Sequence, residues 1–147
     1  MTLANMKYLT TLCTFLCLLS ISGCRSEKGD SRLDGTWRSN KDETVAAWRR
    51  DGVIPEEVIG RFEEEVLGKT TVTYSGRHAV IKSGEDWTEE SEYDIIDSGD
   101  DFVVIEGFSK VWQRKLQHRI EFVENGYWIS NDEILKGFTE KFDRMIE

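Results

Sequence analysis

Two histidines and three cysteines are the residues of this 147-residue chain best suited to nucleophilic, acid–base or metal chemistry. His78 and His118 fall in separate alternating segments, with no second histidine or cysteine at ligand spacing. Each reads as a surface or satisfied core histidine rather than a ligand or a base. No Ser-x-x-Lys, Gly-x-Ser-x-Gly, His-Glu-x-x-His or phosphate-cradling glycine loop occurs. The 28 acidic residues would furnish carboxylate pairs for glycosidase-type work, but no pair is set apart by surroundings that would separate its two pKa values. No catalytic residue, metal ligand or cofactor site is assigned, and the chain reads as a non-enzyme. The cysteines are placed differently. Cys13 and Cys17 lie inside an uncharged run from Tyr8 to Ile21, and Cys24 closes that run behind Ser22 and Gly23.

That placement gives Cys24 its chemistry. Met6-Lys7 supplies a positive start, while Met1 to Asn5 adds nothing to the design. The apolar run is shorter than the ~20 residues that span a bilayer, and a small-residue cleavage site follows it. Ile21-Ser22-Gly23-Cys24 resembles the lipobox of bacterial lipoproteins. The resemblance implies cleavage before Cys24, a diacylglycerol on its sulfur and a further acyl chain on its amine. Each buried CH₂ adds about 0.8 kcal/mol, so two or three chains anchor stably where one would not. Arg25 stands where an aspartate would favour the inner membrane, so the resemblance points to the outer membrane, facing the periplasm.

Removing residues 1–23 takes away Lys7 alone among the charges, leaving 124 residues with 18 basic and 28 acidic side chains. That is one domain's worth of chain. Its negative balance excludes nucleic acid, whose affinity rests on Lys and Arg meeting phosphates. A basic protein partner is compatible with it, as is simple solubility. With Cys13 and Cys17 removed and Cys24 acylated, the folded body would hold no disulfide, thiolate metal site or cysteine nucleophile. Its stability must then come from the core, for which this length suffices.

Several elements are needed to position anything on this chain. Residues 24–32 read as the lipidated N-terminus and tether, and 33–147 as one β domain. Leu33 to Ser39 is a first strand. Asn40 and Glu43 suit a reciprocal helix cap, with Val45 and Trp48 on one face of a helix ending near Gly52. Pro55 suits the first turn of a second helix, with Glu56 and Glu57 at its positive end. Its apolar positions run through Val58, Ile59, Phe62, Val66 and Leu67, and Gly68 stops it; Glu63-Glu64-Glu65 reads as a solvated face. From Lys69 the period becomes two. Strands are expected over Thr70–Ser75, Arg77–Lys82, Glu89–Ile96, Asp101–Phe108, Leu116–Val123, Tyr127–Ser130 and Gly137–Met145, with a short helix before the last as an alternative. Phe102 and Val104 are taken to share the inner face of their strand. Ser75-Gly76 and Asn125-Gly126 mark tight turns, the latter suited to a type I′ hairpin with two positive φ angles.

About eight antiparallel strands in a meander are most simply closed into a barrel, which removes both exposed edges. Leu33-Asp34-Gly35-Thr36-Trp37 then carries weight. A Gly-x-Trp first strand, a long insertion and an antiparallel meander resemble the lipocalin and lipocalin-like families. The resemblance implies an up-and-down barrel or half-barrel in which Trp37 closes one end and an arginine of the last strand, Arg144, stacks on its ring; Arg119 is the alternative. Two helices in place of the long first loop depart from that pattern. Trp37, Tyr74, Tyr93, Phe102, Phe122, Tyr127 and Phe142 are the candidate inward aromatics. They would line a pocket for one small apolar ligand or simply fill the interior. Trp87 and Trp112, beside charged loops, are either rim anchors or covered by neighbours. The expected function is a lipid-anchored cell-envelope binding module holding a small apolar ligand or envelope component. The alternative is a protein-interaction lipoprotein, an inhibitor or assembly accessory, that meets a basic partner with its acidic surface.

Overall fold

A computed structural model describes residues 28–146. The expected signal segment and the expected lipidation site, Cys24, lie outside the described residues. The elements run β1 (Gly35–Ser39), α1 (Lys41–Asp51), α2 (Glu56–Glu65), β2 (Thr70–Ser75), β3 (His78–Ser83), β4 (Trp87–Ser98), β5 (Phe102–Ser109), β6 (Arg114–Val123), β7 (Gly126–Ser130) and β8 (Thr139–Arg144). Each strand pairs antiparallel with the next, and β8 returns to β1, with Trp37 opposite Arg144 and Ser39 opposite Phe142. The result is a closed eight-stranded up-and-down barrel with both helices between the first two strands. All eight strands, both helices and both apolar cores fall within residues 28–146, so this span carries its own folding core.

The helices begin and end for local reasons. Asn40 Oδ1 accepts the Glu43 backbone N–H at 3.0 Å, satisfying one orphan donor of α1. The reciprocal half of the expected cap is different. Glu43 Oε1 is met by the Asn40 side-chain amide at 3.4 Å, because the Asn40 backbone N–H is engaged by the Lys141 carbonyl at 2.7 Å. Gly52 closes α1 with φ 66°, a left-handed cap that glycine adopts without strain. Pro55 is the N-cap of α2 rather than a residue of its first turn, and α2 stops at Glu65 before Gly68. Glu63 turns toward α1, 3.4 Å from Arg49 and 3.8 Å from Lys41, so the acidic run is not wholly a solvated face.

Two cores result. One fills the lower barrel with Leu33, Trp37, Val72, Tyr74, Tyr93, Val103, Ile105, Ile120, Tyr127 and Phe142. The second lies under the helices, where Val45, Trp48, Ile54, Ile59 and Leu67 pack with Phe62 and Phe138. Trp48 joins the helices to the barrel, since its indole N–H donates to the Thr139 carbonyl. Thr44 adds a second tie by accepting the Lys141 N–H at 2.9 Å.

Strand registers correct two expectations. In β5 it is Val103 and Ile105 that point inward, and Phe102 faces out under the Arg119 guanidinium at 4.0 Å. Phe-Val-Val-Ile is apolar on both faces, so alternation alone could not choose the inner one. At the β6–β7 hairpin Val123 pairs with Gly126, so the turn residues are Glu124 and Asn125, and only Asn125 has positive φ (61°). Gly126 is a strand residue. A Cβ there would lie 2.2 Å from the Phe142 carbonyl oxygen, so glycine is required by the close passage of β8 rather than by the turn.

Candidate functional site

The two barrel ends are built differently. The β2–β3, β4–β5 and β6–β7 turns and the N-terminal residues share one end, and it is closed. Trp37 Nε1 donates to the Leu33 carbonyl at 2.6 Å, and its ring meets Tyr127 at 4.9 Å. The Arg144 guanidinium lies 5.1 Å from the centroid of Trp37 and donates to the Asp34 carbonyl at 2.7 Å. Gly35 passes beneath it with φ 124°, and a Cβ there would sit 3.3 Å from Arg144 Nη2. This explains the glycine of the Gly-x-Trp pattern in physical terms. Arg32 covers the same end. It lies 4.4 Å over Phe122 and donates to the carbonyls of Gly99 and Asp100 at 2.8 Å each. Asp30 holds it from the other side at 2.6 Å, and each of the two groups strengthens ionisation of the other. The last residues of the expected tether are therefore packed onto the barrel floor.

The opposite end opens. A cavity of about 290 Å³ descends from a mouth formed by the β3–β4 and β5–β6 connections on one side and the β7–β8 segment on the other. Trp87, Phe108, Val111 and Trp112 form the outer rim, and Ile134 and Phe138 face them beside the helices. Val111 is 62% exposed and Trp112 49%. Val72, Tyr74, Ile81, Tyr93, Ile105, Leu116, Ile129 and Phe142 make the walls and base.

Of the seven aromatics expected inside, Tyr74, Tyr93 and Phe142 line this cavity. Trp37 and Tyr127 pack below it, Phe122 lies against the same core, and Phe102 is outside the barrel. Tyr127 stacks on Phe142 at 5.2 Å and meets Tyr74 edge-on at 6.4 Å. Burial pushes the Tyr74 phenol up to about 12 and raises those of Tyr93 and Tyr127 as well. Burial thus favours the neutral phenols, and that of Tyr93 donates to the Gly76 carbonyl at 2.6 Å. Trp87 and Trp112 stand at the rim.

Thr70, Ser91 and Ser109 add hydroxyls to the lining, and besides the tyrosines three ionisable side chains reach it. Glu89 is near the mouth, with Oε1 accepting the Lys110 N–H at 2.8 Å. His118 (β6) and Glu140 (β8) project from the wall on either side of Ile129, which pairs directly with Glu140. Glu140 is 7% exposed, and its Oε1 accepts the Ser39 hydroxyl at 2.5 Å. Burial raises its carboxyl from 4.5 to about 7, opposed by the Ser39 bond. Burial lowers His118 to about 4, opposed by the charge of Glu133. Sequence reasoning missed Glu140, although alternation from Phe138 to Phe142 sets it on the same inward face and could have found it. His78 is on the outer surface, 3.6 Å from Glu92. Among the described residues, no group of three His, Cys, Asp or Glu side chains is placed to hold a metal ion.

No family model matches the chain, and no curated protein or solved structure matches it significantly.

Proposed function

We propose that this protein is a lipid-anchored binding module of the bacterial cell envelope whose barrel holds one small apolar ligand. The cavity carries the reading: about 290 Å³ at the mouth end of a closed barrel, lined mainly by apolar side chains with a few polar groups. That volume is near the lower bound for small-molecule sites, and the mixture of walls is the usual one. Packed interiors leave few voids larger than a water molecule, so space of this size facing exposed aromatics favours an occupant over a merely filled barrel. The anchor is read from Ile21-Ser22-Gly23-Cys24 and makes Cys24 the membrane partner, at the periplasmic face of the outer membrane. Residues 28–32 lie at the closed end, and four residues reach roughly 14 Å when extended. On this reading the floor of the barrel faces the anchoring membrane, and the mouth faces away from it.

Native mass spectrometry of residues 25–147 purified from the host periplasm, with organic extraction alongside, tests the binding reading. A small apolar molecule released on extraction is the expected result. A bare mass, together with no uptake of apolar probes, would overturn it, and cross-linking for a basic protein partner would follow. The anchor has its own test, since Cys24→Ser should abolish palmitate labelling.

A further inference from the structure

The cavity's polar atoms define which head group it accepts. Asn131 is buried beside His118, and its Oδ1 accepts two backbone N–H groups, Glu133 at 2.8 Å and Ile134 at 3.2 Å. Those bonds fix the amide orientation, because the NH₂ group cannot accept them. The Asn131 Nδ2 must then donate across its 3.3 Å contact to His118 Nδ1. A neutral histidine that accepts at Nδ1 carries its proton on Nε2. His118 thus offers the cavity an N–H donor.

The same reasoning applies to Glu140. The Ser39 oxygen accepts the Gly68 N–H at 2.9 Å, and its single hydrogen goes to Glu140 Oε1. Oε2 has no hydrogen-bond partner among the described residues, and the side chain lines the cavity. Two glutamates and no lysine or arginine line this space. A carboxylate ligand would find no cation to neutralise it, and would meet a negative wall across a low-dielectric space.

We propose that the cavity selects apolar molecules with a hydrogen-bond-donating, non-anionic head, received by Glu140 Oε2 and oriented by His118 Nε2–H. This rests on the cavity being the ligand site and adds the ligand's chemical class. A hydroxyl carries both the donor that Glu140 takes and the acceptor that His118 needs. An ammonium satisfies Glu140 in its ionised form but has no acceptor for the His118 N–H. Both share the donor that a deprotonated fatty acid lacks.

Calorimetric titration of folded residues 25–147 with octanol, octylamine and octanoate at pH 8 separates these cases. Octanol or octylamine should bind at least tenfold more tightly than octanoate, and whichever is tighter identifies a hydroxyl or cationic head. Glu140→Gln, checked for native circular dichroism, should narrow the gap to octanoate to under threefold, because octanol and octylamine lose their acceptor while octanoate loses a repelling charge. Octanoate binding as tightly as octanol to the unaltered protein would overturn the selectivity and leave the cavity reading standing. An unchanged gap in Glu140→Gln would remove Glu140 from the recognition. Failure of all three probes to bind would sink the ligand-site reading itself, and the selectivity with it.

Discussion

The Ser39 hydroxyl, on the last residue of β1, donates to Glu140 Oε1 across the seam where the barrel closes on β8. It ties the carboxylate to the wall without neutralising it. Glu140 and His118 then titrate in opposite senses. Glu140 is raised from 4.5 to about 7, so its contribution is fully present below about pH 4.5 and falls, by about 3 kcal/mol, as pH rises to about 7. His118 is lowered from 6.5 to about 4, so the stability of its neutral form is complete above pH 6.5 and is lost as pH falls toward 4. Between pH 4.5 and 6.5 the two slopes oppose. Glu140→Gln should give an unfolding free energy that rises with pH from 4 to 6.5, and His118→Gln one that falls from 4.5 to 7, both read by urea titration. A Glu140→Gln profile parallel to the unaltered protein would show that the carboxyl titrates normally.

Arg144 and Trp37 are direct cross-strand neighbours at the closed end. Replacing the planar guanidinium by an ammonium keeps the charge and loses the stack and the bond to the Asp34 carbonyl. Arg144→Lys should cost about 1 kcal/mol, measured as a lowered urea midpoint with unchanged slope. A midpoint equal to the parent would mean the stack contributes nothing.

The β6–β7 hairpin gives a paired test of register. Gly126→Ala should destabilise by about 2–3 kcal/mol, because its Cβ would strike the Phe142 carbonyl. Asn125→Gly should be neutral or slightly stabilising, since glycine takes φ 61° freely. The reverse order of sensitivity would return the turn to Asn125-Gly126.

Tyr127 is wholly buried, and its hydroxyl is the one buried side-chain polar atom without a hydrogen bond among the described residues. Leaving such a group unsatisfied costs about 1–3 kcal/mol. Tyr127→Phe should therefore raise stability, by about 1 kcal/mol, and raise the thermal midpoint. Destabilisation would show that the hydroxyl bonds that of Tyr74, to which its ionisation is coupled.

Local chemistry made most of the fold legible. Asn40, Gly52 and Pro55 punctuate the helices, and the change of period at Lys69 announces the meander, because caps, proline and alternation act over a few residues. The number of antiparallel strands then made closure the economical solution. Matters that depend on both faces of a strand were not legible. Phe102 and Val103 are both apolar, and only the pairing of β5 with β6 and β4 decides which points in. Alternation already sets His118 on the face of Leu116, Ile120 and Phe122, and Glu140 on the face of Phe138 and Phe142; that the two groups share one cavity was decided only when β8 met β1 and closed the barrel. The cavity is a further step removed. It is the difference between the volume enclosed by eight tilted strands and the side chains that happen to point into it, and no stretch of sequence encodes that difference by itself. Sequence thus determined the elements, their order and the closed end marked by Gly35 and Trp37. The tertiary structure alone decided which side chains share the enclosed space, because burial in a barrel is a property of closure, not of any one strand.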